Sequence, residues 1–120
     1  MKINDNPIVR LSLQFAIDVI DYSELLNGHN KFVISKQLLR SGTSIGANVR
    51  EAQHAESRDD FIHKLKIAAK ETEETEYWLL LCKYAPTYPT NDILIEKCNE
   101  LGKLLNKIIS SARQNNPKRH

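Results

Sequence analysis

Apolar residues recur at intervals of three and four along most of the chain, which is the spacing of one face of an amphipathic helix. The first such stretch begins after Asn6 and Pro7, a capping residue and an imino acid favoured in a first turn. It ends before Asn27-Gly28, which predicts a helix over about 7–26. Its main seam consists of Ile8, Leu11, Phe15, Val19, Tyr22 and Leu26, and a second seam consists of Val9, Leu13, Ala16 and Ile20. Two seams on one helix predict more than one packing partner.

A second helix is predicted over about 31–55, with Asn30 as its cap. Its seam consists of Leu38, Gly42, Ile45, Val49 and Ala52. Glycine inside a helix costs about 1 kcal/mol relative to alanine, so a loop across 41–47, which holds Gly42 and Gly46, is the alternative. Because the seam keeps its phase across this stretch, we favour a continuous helix whose small residues let a neighbouring backbone approach closely.

A third helix is predicted over about 58–85. Ser57 followed three positions later by Asp60 resembles a capping box, and Pro86 prevents the helix from continuing. Its seam consists of Phe61, Leu65, Ala68, Thr72, Thr75, Leu79 and Cys82.

A fourth helix is predicted over about 91–114, with Thr90 or Asn91 as its cap. Its seam consists of Leu94, Cys98, Leu101, Leu105, Ile108 and Ala112, and the polar residues 115–120 are expected to fray. Short connections make consecutive helices antiparallel, so the simplest fold is an all-α, up-and-down antiparallel four-helix bundle forming a single domain over 1–120.

Composition and length agree with one globular domain. The 120 residues, 41% of them apolar and 27% charged, suffice for one core and leave no room for a second. No apolar run approaches the roughly 20 residues that span a bilayer, and the first residues lack the features of a signal peptide. Cys82 and Cys98 are too few for a disulfide scaffold. We therefore expect a cytoplasmic protein with reduced thiols and no membrane contact.

Four polar residues on one face of the second helix form a stripe beside its seam, consisting of Arg40, Ser44, Asn48 and Glu51. A buried arginine needs a carboxylate partner. Glu73 and Glu76 are candidates because antiparallel packing brings the middles of the second and third helices level. We interpret the stripe and Glu76 as a structural polar network that fixes helix register, with a binding or catalytic pocket as the alternative.

Two pairs of residues have the spacing of metal ligands in di-iron helical bundles. They are Glu51 with His54, and Asp60 with His63. Both lie near the short turn between the second and third helices, so we interpret them as exposed side chains and expect no metal and no cofactor. A metal-dependent enzyme built on these four residues is the least favoured hypothesis. Ser41 and Ser44 have no histidine at a spacing that would place a base beside them, and Cys82 and Cys98 fall on seam positions, so we expect no catalytic residues.

The formal net charge of +2 is well short of that of an obligate nucleic-acid binder. Basic residues nevertheless accumulate toward the C-terminus, namely Lys103, Lys107, Arg113, Lys118 and Arg119. These residues are candidate contacts for RNA or DNA phosphates, and a solvated helix face is the alternative. A symmetric oligomer would repeat the patch and strengthen it.

The segment QLLRSGTSIGANVREA, residues 37–52, resembles the signature of the four helix bundle protein family. This family was first noticed as reading frames within intervening sequences of bacterial large-subunit ribosomal RNA genes. The family's Arg, Ser, Asn and Glu positions match Arg40, Ser44, Asn48 and Glu51, and Glu76 stands at its acidic position in the third helix. The resemblance covers about residues 7–112.

The resemblance implies a left-handed up-and-down bundle that assembles as a ring-like homopentamer. The accessory proteins of diversity-generating retroelements are similar in fold, are pentameric, and bind nucleic acid together with a reverse transcriptase. No enzymatic activity is established for the intervening-sequence proteins. We therefore expect a non-enzymatic bacterial homo-oligomer that binds RNA or DNA through basic patches, with a protein–protein adaptor as the alternative.

Overall fold

The computed structural model describes residues 6–115, and these form four α-helices without any strand. The helices are α1 (Pro7–Gly28), α2 (Phe32–Gln53), α3 (Arg58–Tyr84) and α4 (Asp92–Gln114). Each packs against its neighbours in the chain, and α4 closes the bundle against α1. The prediction of an all-α four-helix bundle is confirmed. Residues 116–120, most of the predicted frayed tail, lie outside the described residues.

Hydrogen bonds near the two ends of the bundle show the direction of the helices. At one end, the hydroxyl of Tyr22 in the last turns of α1 donates to the carbonyl of Pro89, in the connection between α3 and α4, at 2.5 Å. At the other end, Arg58 in the first turn of α3 donates to the carbonyl of Ala112 in the last turn of α4, at 3.3 Å. Consecutive helices are therefore antiparallel, as the short connections predicted.

Three of the four helices begin at the side-chain caps that the sequence predicted. Asn6, Ser57 and Asn91 each accept a hydrogen bond from a backbone N–H two or three residues later. These bonds satisfy amides that have no partner inside the helix. The exception is α2, which begins after Lys31 without a side-chain cap, so the prediction that Asn30 caps it is wrong.

The turn between α1 and α2 lies later than expected. Asn27 and Gly28 belong to α1 instead of ending it. The chain reverses at Asn30, which has a φ of 61°. Asparagine is one of the few residues with a side chain that tolerates this left-handed conformation, because its short amide makes local hydrogen bonds.

The core is built from the predicted seams, with small shifts. All five seam positions of α2 are buried. Elsewhere, Ser12, Ile62 and Ile109 are buried where Leu11, Phe61 and Ile108 were expected. The adjoining seam positions, such as Phe15, Leu65 and Ala112, are buried as predicted. Steps of three and of four residues both lie on the same face of a helix, so periodicity alone does not choose between two adjacent positions. Leu11 is left 41% exposed. No helix within residues 6–115 is long and apolar enough to cross a membrane.

The glycine-containing stretch of α2 is a continuous helix in close contact with α1, as the sequence predicted. A Cβ atom added to Gly42 would lie 2.8 Å from Cγ1 of Val19, which is closer than real Cβ atoms approach. A Cβ added to Gly46 would lie 3.3 Å from the carbonyl oxygen of Ser12. The two glycines therefore allow α1 and α2 to pack more closely than larger residues would.

Candidate functional site

Arg40 extends from α2 to two carboxylates on α3. Its guanidinium forms ion pairs with Glu71, at 3.5 Å, and with Glu74. Glu74 also accepts a hydrogen bond from the indole N–H of Trp78, at 3.1 Å. The Arg40 side chain is 49% exposed, so this cluster is a solvated group of ion pairs that crosses from α2 to α3, and not a buried network.

The carboxylate partners expected for Arg40 were wrong. Glu73 and Glu76 line a groove on the other side of α3, against α4. Successive residues of a helix are rotated by about 100° around its axis, so two positions separate one side of α3 from the other. To predict which carboxylates pair with Arg40, one must know how α3 is rotated about its axis relative to α2. A single sequence does not specify this rotation.

The remaining residues of the polar stripe bind separate partners. The hydroxyl of Ser44 donates to the carbonyl of Arg40 at 2.7 Å, and the amide of Asn48 donates to the carbonyl of Ser44 at 2.9 Å. Both bonds stay within α2, where such side chains satisfy the carbonyl four residues earlier. Glu51 lies 3.8 Å from the ammonium group of Lys64 in an exposed ion pair. The stripe thus contains local hydrogen bonds within α2 and three ion pairs to α3, two from Arg40 and one from Glu51.

A buried polar contact between α2 and α3 lies elsewhere, at Ser41 and Thr75. Their hydroxyl oxygens are 2.9 Å apart, and both residues are fully buried. Thr75 also lies 2.7 Å from the carbonyl of Glu71. The sequence contained a signal for this contact, since Thr72 and Thr75 are polar residues in the seam of α3, at positions that face the core.

Three of the four candidate metal ligands line one depression, but they are not placed to bind a metal ion together. Glu51, His54 and Asp60 line an open depression of about 660 Å³ at the turn between α2 and α3, together with Lys64. His63 is exposed and does not line it. Within residues 6–115, no three histidine, cysteine, aspartate or glutamate side chains are placed so that they could hold a metal ion.

Both cysteines are buried in the core and are free thiols. Burial raises the pKa of the Cys82 thiol, and it raises the pKa of Cys98 to about 12, with a further contribution from the nearby carboxylate of Glu76. The thiol of Cys98 also lies 3.4 Å from the carbonyl of Thr72. Since the thiolate is the nucleophile of cysteine chemistry, both side chains are unreactive core residues near neutral pH.

The contact between Thr72 and Gly102 divides the surface of α3 and α4 into two halves. A Cβ added to Gly102 would lie 3.5 Å from Cγ2 of Thr72, so the two residues are level with each other. Because the helices are antiparallel, residues before Thr72 and residues after Gly102 lie in the same half. Five exposed cations of that half are Lys66, Lys70, Lys103, Lys107 and Arg113, and we call these five residues the basic half. The same stretch of α3 also holds Arg58, Lys64 and three carboxylates, Asp59, Asp60 and Glu71.

The other half of this surface is acidic. Residues after Thr72 and before Gly102 include four carboxylates, Glu73, Glu76, Glu96 and Glu100, which we call the acidic half. Within residues 6–115, none of these five cations and four carboxylates forms an ion pair. Neighbouring charges do, since Lys83 lies 3.3 Å from Asp92 and Lys97 lies 2.8 Å from Asp18. The charges of the two halves are therefore available to an outside partner.

Three of the five predicted phosphate contacts, Lys103, Lys107 and Arg113, lie in the basic half. Lys118 and Arg119 lie outside the described residues. Lys66 and Lys70 were not predicted from the sequence, because they belong to α3 and join the patch only through the register of α3 against α4. On the α4 side, no acidic residue follows Gly102 up to the end of the helix, so that side of the patch is uniformly basic.

Comparison with known proteins agrees with this architecture. The profile of the 23S rRNA-intervening sequence protein family matches residues 4–107. A crystal structure from Bacteroides thetaiotaomicron, described as a protein with unknown function from the S23 ribosomal protein family, is 50% identical to this chain and superposes with a TM-score of 0.80. The match covers 88% of this chain and 97% of that one. No curated protein matches. The chain therefore belongs to the 23S rRNA-intervening sequence protein family.

Proposed function

We propose that the protein is a non-enzymatic, oligomeric scaffold that binds single-stranded nucleic acid through the basic half of α3 and α4. The separation of unpaired cations from unpaired carboxylates on one surface is the observation that carries this proposal. Clustered cations release counterions when they contact phosphates, whereas evenly mixed charges do not attract a polyanion. The family's description refers to 23S rRNA, so RNA is the first nucleic acid to test.

The proposal predicts binding that weakens steeply with salt. Five phosphate contacts on a single strand correspond to a slope of about −3.5 in a plot of log affinity against log salt concentration. Between about 50 and 200 mM salt, affinity should then fall roughly a hundredfold. Fluorescence anisotropy with a labelled single-stranded RNA measures this slope directly.

A pair of charge-matched variants tests the location of the site. Reversing Lys66 and Lys107 to glutamate removes two cations from the basic half and should weaken binding by about tenfold or more, with a shallower salt slope. Reversing Lys36 and Lys83 changes the net charge equally at the opposite end of the bundle and should have a much smaller effect. Equal losses in both variants, or binding that does not respond to salt, would refute the proposed site.

An apolar strip on α1 and α2 supports the oligomeric part of the proposal. It consists of Leu13, Ala16, Ile17, Ile20, Leu39 and Ala47, and it borders a groove of about 150 Å³ beside Gly46. Ile17 is 44% exposed and Ile20 is 41% exposed. A second copy of the chain would bury these side chains, and the family resemblance suggests a ring of five.

Light scattering coupled to size exclusion tests this interface. We expect Ile20→Lys to shift the protein toward the monomer, because it places a charge within the strip. Leu25→Lys is the matched control, since Leu25 is exposed to a similar extent, 46%, on a different face of α1. A monomeric wild-type protein, or an oligomer that tolerates Ile20→Lys, would contradict the proposed interface.

A protein–protein adaptor in the cytoplasm is the second candidate function. It is supported by large apolar side chains at the end of the bundle opposite the basic half, where Phe32 is 58%, Val33 79% and Tyr84 75% exposed. An oligomer that binds no RNA at low salt would favour this candidate over nucleic-acid binding.

A further inference from the structure

A cleft of about 300 Å³ lies between α3 and α4, where the basic and acidic halves meet. Small or buried residues form its floor, with Ala69, Thr72, Cys98 and Gly102 contributed by the two helices. Six polar residues line its sides, namely Lys70, Glu73, Glu76, Asn99, Lys103 and Asn106. Its volume is at the lower end of the range for small-molecule sites.

The cleft is open because Gly102 contributes no side chain at the point where α4 approaches Thr72. The helices themselves are in ordinary contact there, and the Cys98 thiol closes the floor against the Thr72 carbonyl at 3.4 Å. Within residues 6–115, none of the six polar side chains around the cleft takes part in a side-chain hydrogen bond or an ion pair. Grouped polar side chains without partners are available to hydrogen-bond a ligand.

The arrangement of charge around the cleft indicates what the ligand carries. Lys70 and Lys103 offer ammonium donors on the side of the basic half, while Glu73 and Glu76 offer acceptors on the side of the acidic half. The matching ligand has an anionic group at one end and hydrogen-bond donors at the other. The basic half continues beyond the two lysines along both helices, so a chain of phosphates lying on it would lead into the cleft.

We propose that this cleft binds one unpaired nucleotide and selects bases with an exocyclic amino group over uracil; this inference rests on the proposed nucleic-acid binding. The phosphate lies against Lys70 and Lys103, and the base edge lies against Glu73 and Glu76. An ionised carboxylate only accepts hydrogen bonds. The amino group of cytosine donates where uracil presents the C4 carbonyl acceptor, so a carboxylate facing that position favours cytosine and is repelled by the uracil carbonyl.

The test compares labelled oligocytidine with oligouridine of equal length. We expect the wild-type protein to bind oligocytidine at least about fivefold more tightly, the effect of one good base contact. Replacing Glu73 and Glu76 by glutamine, which both donates and accepts, should bring the ratio close to one. The control replaces Glu96 and Glu100 by glutamine, which changes the charge of the acidic half equally outside the cleft and should leave the ratio unchanged.

The outcomes separate this inference from the proposed function. Salt-dependent binding with equal affinity for the two oligonucleotides, or a preference that survives the Glu73→Gln and Glu76→Gln changes, overturns the inference and leaves the proposed function intact. If neither oligonucleotide binds, the proposed function fails, and the cleft is tested with free mononucleotides by NMR. Shifts of the Gly102 and Asn106 amides with cytidine monophosphate alone support the cleft. No shift at about 10 mM, where a millimolar site is nearly full, or equal shifts with uridine monophosphate, overturns it.

Discussion

The hydroxyl oxygens of Ser41 and Thr75 lie 2.9 Å apart between α2 and α3, in a part of the core where neither residue is exposed to solvent. Thr75 has a second partner in the Glu71 carbonyl at 2.7 Å, whereas the other oxygen near Ser41, the Leu38 carbonyl, is 3.5 Å away. Ser41 therefore depends on Thr75 for its one short hydrogen bond. This contact specifies the register of α2 against α3 more strictly than the exposed ion pairs of Arg40 do.

Replacing Thr75 by valine preserves the shape of the side chain and removes its hydroxyl. We expect the free energy of unfolding to fall by about 1–2 kcal/mol, because the buried Ser41 hydroxyl loses its short partner. Urea denaturation measures the change. Thr43→Val is the control, since Thr43 bonds only within α2 and is partly exposed, and it should change stability by less than about 0.5 kcal/mol. Equal stability of Thr75→Val and the wild type would show that the contact contributes nothing.

Gly42→Ala should destabilise the protein by about 1–3 kcal/mol, although alanine has the higher helix propensity. The added methyl group would lie 2.8 Å from the side chain of Val19, so the two helices must separate or Val19 must move. Gly28→Ala is the matched control, since nothing lies within 4 Å of its added Cβ. Thermal unfolding of both variants checks the contrast, and a Val19→Ala change in the Gly42→Ala background should recover part of the loss. A stabilising Gly42→Ala would be incompatible with the close packing of α1 and α2.

Arg40→Ala should reduce the free energy of unfolding by about 1 kcal/mol or less. The Arg40 side chain is 49% exposed, so water and salt screen its ion pairs with Glu71 and Glu74. The effect should shrink further at high salt, which chemical denaturation at two salt concentrations measures. A loss above about 3 kcal/mol would indicate the buried network that the sequence suggested.

The stability of the fold should decrease at alkaline pH. The pKa of Cys98 is raised by burial from 9.0 to about 12, so the unfolded chain releases the thiol proton at lower pH than the folded one. The stabilisation is complete below pH 9 and is lost between about pH 9 and pH 12. Burial also raises the pKa of Cys82, in the same direction. In the Cys98→Ala variant, the free energy of unfolding measured with urea should fall less steeply between pH 9 and pH 12 than in the wild type. An equally steep fall in the variant would show that other groups cause the loss of stability.

The fold is predictable from the sequence because the helices are long and strongly periodic. Caps at Asn6, Ser57 and Asn91 act within one turn, so local sequence determines them. The continuity of α2 through Gly42 followed from the phase of its seam. The errors concern single positions, as with Leu11 and its neighbour Ser12, because a step of three and a step of four residues both reach the buried face.

The candidate site was predicted less well because it depends on relations between helices. Lys103 and Lys107 could be predicted from the sequence of α4 alone. Lys66 can be recognised as their neighbour only when the axial register of α3 against α4 is known. The partners of Arg40 were missed for the same reason, since Glu74 and Glu76 differ by two positions and lie on opposite sides of α3. Periodicity determines which residues of a helix face the core. It does not determine which residues of two helices lie side by side.

The opposite charges of the two halves give the molecule an electric dipole moment that its net charge of +2 conceals. The backbone dipoles of antiparallel helices largely cancel, so the side chains of α3 and α4 dominate this moment. On a cation-exchange resin the protein should adhere by one end and be retained more strongly than another protein of charge +2 with evenly mixed charges. Within about one Debye length of a polyanion, the field of the polyanion exerts a torque on this dipole. The torque turns the basic half toward the polyanion before the two molecules touch.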